Sequence, residues 1–220
     1  RVEYSPTGAE EDYDVIPNGA VVSGNSIQWL VPNEIGKNNK IRVKNTDVNK
    51  PTTSAVSDDF RIWGRLTMTD PSLNETVPVN LAGDGDALKY PIAWTVEGTI
   101  GKVKLEYSNN GGALGTITGA GNIDAETYPG SEVGQFLWTV PNTISDNVVI
   151  RVTNNDLGET DVTDGSDNFY IAGRLELTTA NGGAIYEVDQ NLDIYWTKRG
   201  DIGNIKLKYS TNSGQIYDKA

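Results

Sequence analysis

Short runs of alternating apolar residues, turn residues between them, and blocks that recur in a fixed order predict an all-β fold. The expected class is a tandem array of immunoglobulin-like antiparallel β-sandwich repeats. The 220 residues include 24 Gly and 9 Pro, with one Met, no Cys and no His. A hydrophobic fraction of 37 % is enough to build a core. Val, Ile, Thr, Tyr and Trp suit a pleated, half-buried surface, and no segment shows helical periodicity for more than two turns.

The recurrence is the strongest signal. Trp94-Thr-Val-Glu-Gly-Thr-Ile-Gly-Lys-Val-Lys-Leu-Glu-Tyr-Ser108 returns 102 residues later as Trp196-Thr-Lys-Arg-Gly-Asp-Ile-Gly-Asn-Ile-Lys-Leu-Lys-Tyr-Ser210. Its tail also stands at the start, as Arg1-Val-Glu-Tyr-Ser5. Trp29-Leu-Val-Pro-Asn-Glu-Ile35 returns 109 residues later as Trp138-Thr-Val-Pro-Asn-Thr-Ile144, and Ile41-Arg-Val43 as Ile150-Arg-Val152. Ser57-Asp-Asp-Phe-Arg-Ile-Trp-Gly-Arg-Leu66 matches Ser166-Asp-Asn-Phe-Tyr-Ile-Ala-Gly-Arg-Leu175 at the same spacing. This phase divides the chain into the later part of one repeat (1–63), a complete repeat (64–172) and the opening part of another (173–220). Such a division, with residue 1 inside an apparent strand, is expected of a piece of a longer chain. A sandwich lacking strands exposes its core face and an open edge, so the partial repeats are expected to be completed by adjoining material, in cis or in trans.

Within the central repeat each strand can be read from its alternation. Leu66 and Met68 begin it; Tyr90, Ile92, Trp94 and Val96 share one face, as do Val103, Leu105 and Tyr107. Phe136, Trp138 and Val140 follow, then Val148, Ile150 and Val152, then Phe169 and Ile171. Asn109-Asn-Gly-Gly112, Pro141-Asn142 and Asp164-Gly-Ser-Asp167 supply the turns. In the absence of a disulfide, Trp94 and Trp138 are expected to anchor the core. The junctions, Phe60-Arg-Ile-Trp-Gly-Arg-Leu66 and Phe169-Tyr-Ile-Ala-Gly-Arg-Leu175, contain no flexible linker, which predicts a stiff rod.

The order Trp94-Thr-x-x-Gly98-x-Ile100-x-x-Val103-Lys-Leu-x-Tyr-Ser108-x-x-Gly-Gly112, then Trp138-Thr-Val-Pro141, Ile150-Arg-Val152 and Ser166-Asp-Asn-Phe-x-Ile171 carries a family resemblance. It is similar to the Ig-like repeat of the Ser/Thr-rich GPI-anchored family. That family is named for yeast cell-wall glucan-synthesis proteins and occurs in tandem in prokaryotic surface proteins. The match covers 94–171 and, in part, the flanking copies. It implies an extracellular or cell-surface location and a spacer role, and it carries no catalytic motif.

Composition narrows the function classes. A formal charge of −12 disfavours nucleic-acid backbones and anionic membrane surfaces. No apolar run approaches the roughly 20 residues that span a bilayer, so no membrane insertion is expected within this segment. Without Cys or His, thiolate metal sites and imidazole bases are absent. A glycosidase would need two carboxylates about 5–10 Å apart across a cleft, and a small sandwich offers none, so no enzyme is expected.

Three features remain as candidate sites. Asp156, Glu159, Asp161, Asp164 and Asp167 crowd one region with the hard oxygen donors that calcium requires, and calcium is the single cofactor considered, none being required. The alternative is turn chemistry, in which Asp side chains bind backbone amides; Asp84-Gly-Asp86 is read as a turn in the same way. Trp63, whose counterpart is Ala172, either packs in the joint or offers a surface for a sugar ring or a neighbouring subunit. Tyr13, Tyr128, Tyr186 and Tyr217 fall in loops without distinguishing context, and Asn74-Glu-Thr76 is a glycosylation sequon. The expected function is therefore a structural segment of a stiff stalk, sheath or filament whose partner is itself, through neighbouring repeats or subunits. Strand complementation between incomplete repeats is one way to build it. The alternative is an adhesive or glycan-binding accessory module.

Overall fold

Alternation along residues 90–96 places Ile92, Trp94 and Val96 on one side of a strand, and in a computed structural model of the chain all three are buried. The structure describes residues 1–80, 85–156, 160–180 and 182–217. The chain is all-β, with 3-10 turns at Glu10–Asp12 and Asp86–Leu88. Its strands, in order, are β1 (Val2–Ser5), β2 (Asp14–Val15), β3 (Gly36–Lys44), β4 (Ser54–Val56), β5 (Phe60–Ile62), β6 (Arg65–Asp70), β7 (Thr76–Pro78), β8 (Tyr90–Glu97) and β9 (Lys102–Asn109). They continue as β10 (Gly115–Thr116), β11 (Ile123–Asp124), β12 (Val133–Trp138), β13 (Ser145–Asn154), β14 (Thr163–Gly165), β15 (Phe169–Ala172), β16 (Arg174–Leu177) and β17 (Trp196–Arg199).

The central residues make a two-layer sandwich. One sheet runs β12-β8-β6; the other runs β10-β9-β13-β15-β7, with β11 also on β9 and β14 on β13. Leu66, Ile92, Trp94 and Trp138 from the first sheet meet Val103, Leu105, Ile150, Val152 and Phe169 from the second in one apolar core. The Trp138 ring lies edge-on to Phe169 (centroids 6.4 Å apart) and tilted against Tyr107 at 5.5 Å. Trp94 donates its indole N–H to the Ala125 carbonyl at 2.8 Å. A Cβ on Gly134 would overlap the Trp94 ring, so the strand beside that indole must carry glycine.

One strand pair departs from the antiparallel pattern. β15 and β7 pair in parallel, Ile171 opposite Val77. After β6 the chain crosses between the sheets, and the crossing strand then runs in the direction of its new neighbour.

Residues 1–63 form a single sheet, β2-β1-β3-β4, with β5 also on β3. Tyr4, Trp29 and Phe60 stack on it as Tyr107, Trp138 and Phe169 do in the sandwich, at 4.9 and 6.4 Å. Val2, Tyr4, Ile16 and Ile62 are buried beneath Trp29 and Ile41, but the rest of the apolar face is open. At the other end β16 and β17 pair as an antiparallel ribbon.

Candidate functional site

The chain passes from β5 to β6 through Trp63 and Gly64 alone, and this joint carries the most distinctive geometry. A Cβ on Gly64 would stand 2.7 Å from the Glu97 carbonyl oxygen, so only glycine lets the two segments approach so closely. Gly98 has φ +84°, and a Cβ there would come within 3.1 Å of Gly64 Cα and 3.3 Å of Ile35 Cδ1. Asn33 closes the joint from the other side: its Oδ1 accepts the Thr99 N–H at 2.9 Å and its Nδ2 donates to Thr99 Oγ1 at 3.0 Å. Ile35 packs against the core of the central sandwich.

The joint between β15 and β16 uses matching residues. Gly200 has φ +91°, and a Cβ there would lie 3.1 Å from Gly173 Cα and 3.3 Å from Ile144 Cδ1. Asn142 Oδ1 accepts the Asp201 N–H at 2.6 Å. Asn33 and Asn142, Ile35 and Ile144, Gly64 and Gly173, and Gly98 and Gly200 therefore hold equivalent places. Sequence reasoning left these locking residues unremarked, although each lies inside a recurring block; that recurrence was the available signal.

The first joint carries Arg61, Trp63 and Glu97 where the second has Tyr170, Ala172 and Arg199. Trp63 is 56 % exposed on the wall of a cleft of about 530 Å³, where the second joint has Ala172. The Arg61 guanidinium lies over the indole, 5.1 Å from its centroid, and pairs with Asp161 across the joint at 3.2 Å. Arg65 and Glu97 form an ion pair on the same cleft, which Val31, Pro32 and Thr163 also line. Trp63 is thus not packed away inside the joint.

The acidic residues near the end of the sandwich point to different partners. Asp156 accepts the backbone N–H groups of Gly101 (2.8 Å) and Lys102 (3.0 Å), tying one end of β13 to the start of β9. Asp164 accepts the Met68 N–H at 2.8 Å, stitching β14 to β6. Asp161 faces Arg61, and Asp167 is exposed. Glu159 lies outside the described residues, as does Asp84. Among the described residues no three acidic side chains converge, so a calcium ion would have to compete with these amide and guanidinium donors. Asp86 pairs with Lys89 at 2.7 Å, which holds its carboxyl below the ordinary range.

Of the four loop tyrosines, Tyr13 lies under the Arg42 guanidinium at 4.0 Å, and Tyr128, Tyr186 and Tyr217 are exposed. Asn74 Oδ1 accepts the Tyr170 hydroxyl at 2.9 Å.

The displaced carboxyl groups mostly serve ion pairs on the sheets. Burial alone would raise the Glu3 carboxyl, but Arg42 (2.6 Å) and Arg1 (2.5 Å) outweigh it and bring it below the usual value. Glu106 repeats the arrangement: burial opposes, and Arg151 (2.7 Å) with Lys104 (2.9 Å) prevails. No helix among the described residues is long and apolar enough to cross a membrane. No protein-family model and no curated protein matches the chain, so the family resemblance rests on its motif residues alone.

Proposed function

We propose that this chain is a structural segment of a secreted or cell-surface protein, in which tandem Ig-like repeats form a stiff stalk, sheath or extracellular filament. The observation that supports this reading is the joint. Two successive junctions of only one or two residues are clamped by matching contacts: a positive-φ glycine whose added Cβ would stand 3.1 Å from the facing glycine Cα, and an Asn side chain bonded to the neighbouring backbone. A clamp of this kind suppresses hinge rotation, which a spacer requires and a catalytic domain does not. The resemblance to repeats of the Ser/Thr-rich GPI-anchored family adds the extracellular setting.

In such a rod the open face of residues 1–63 is covered by strands of the β6 and β8 type, drawn from the same chain or from a second copy. Small-angle scattering of the 220-residue chain, read together with its sedimentation, tests the reading. The expected result is a narrow distribution of angles between units. A broad distribution, as flexible beads give, would sink it. Association that grows with concentration selects the second copy as the cover.

A further inference from the structure

The second joint acts as an internal control for the first. It completes the glycine pair and the Asn clamp with Ala172 where the first joint has Trp63, so the clamp does not need the indole. Nor does burial account for it, because more than half of the side chain faces solvent. Yet the ring is held. Arg61 covers it at 5.1 Å and is itself anchored by Asp161, which belongs to the adjoining sandwich. An exposed aromatic ring fixed in orientation by a partner across a joint is organised before any ligand arrives.

The chemistry of the cleft narrows the ligand. About 530 Å³ suits one or two sugar rings. A pyranose offers an apolar C–H face and a rim of hydroxyl groups. An indole face accepts the first; the Glu97 carboxylate and the Arg65 guanidinium, both on the cleft wall, serve the second. The two acidic and two basic side chains around Trp63 balance locally, while the −12 charge of the whole chain repels polyanions. We propose that the cleft at the first joint binds a neutral glycan, with Trp63 as the stacking platform and Glu97 and Arg65 as hydroxyl partners. This site is independent of the rod reading, since it needs the joint geometry and not an array.

The test titrates the 220-residue chain with neutral oligosaccharides of hexose and of N-acetylhexosamine, read by tryptophan fluorescence and calorimetry. Uronic-acid and sulfated oligosaccharides serve as anionic comparators. Saturable binding of a neutral member is expected, weakened about tenfold or more in Trp63→Ala, as the loss of one aromatic stacking partner implies. The melting temperature of Trp63→Ala should stay close to that of the parent, because the second joint already carries alanine there. Binding by no neutral member, binding that Trp63→Ala leaves intact, or equal binding of the anionic comparators overturns the proposal. A lowered melting temperature with retained binding returns Trp63 to a packing role.

Discussion

Val152 of the central sandwich is fully buried, whereas Val43, its counterpart at the same position of the equivalent strand, is 53 % exposed. Leu66 and Leu175 differ in the same sense, at 4 % and 50 %. The side chains are identical; the opposing sheet is what changes. The sheet of residues 1–63 keeps its own strand pairing, its Tyr4–Trp29–Phe60 stack and its Glu3–Arg42 ion pair without that second layer. What it loses is β12-like structure. The segment around Trp29 has no strand, while its counterpart, β12, pairs along its length with β8. Local pattern and stacking are thus properties of one sheet, and burial and the β12 ladder are properties of the pair.

The largest expected effect compares two tryptophans. Trp94→Ala removes a fully buried indole and its bond to Ala125, and should cost about 3–5 kcal/mol in urea unfolding. Trp196→Ala, at a position 39 % exposed, should cost less than about 1 kcal/mol. Equal costs would break the comparison, because they would mean that the β16–β17 face is covered in solution.

A smaller effect is expected at the joints. Gly98→Ala forces a side chain into the left-handed region and toward Gly64, and should cost about 1–3 kcal/mol. Gly200→Ala should act in the same direction. Gly115→Ala, with no atom within 4 Å of the added methyl, should be nearly neutral. Thermal melts separate the three, and a neutral Gly98→Ala would contradict the clamp.

The smallest effect concerns acid. Glu3 and Glu106 have folded values below their ordinary 4.5. The stability they add is complete above pH 4.5 or so and is lost as pH falls through the lower folded values. Glu106→Gln should therefore flatten the acid limb of the stability curve, and Glu3→Gln should do the same. An unchanged limb would show that these ion pairs contribute nothing.

Much of this was legible in the sequence. Alternation located β8, β9, β12 and β13, and the aromatic positions located the core, because period-two burial is written directly into residue order. The linker-free junctions could be read from Ile62-Trp-Gly-Arg65. The parallel pairing of β15 with β7 could not, since it depends on which sheet edge the chain meets after crossing. Nor could the roles of Asp156 and Asp164: a carboxylate that caps a backbone amide and one that awaits a cation look alike until the distant strand is placed. Trp63 was visible as an anomaly against Ala172, but the cleft it lines is completed by residues 31–33 and 161–163, which its own segment does not reveal.

The glycine contact at each joint has a geometric consequence for any longer run. A junction repeated without change turns every unit through one fixed angle relative to the last, so a run of them traces a screw. The azimuth of a side chain on that screw then follows from its unit's place in the run. Placing Trp at one junction and Ala at the next would set which bearing around the axis carries an aromatic face, with no change to the backbone.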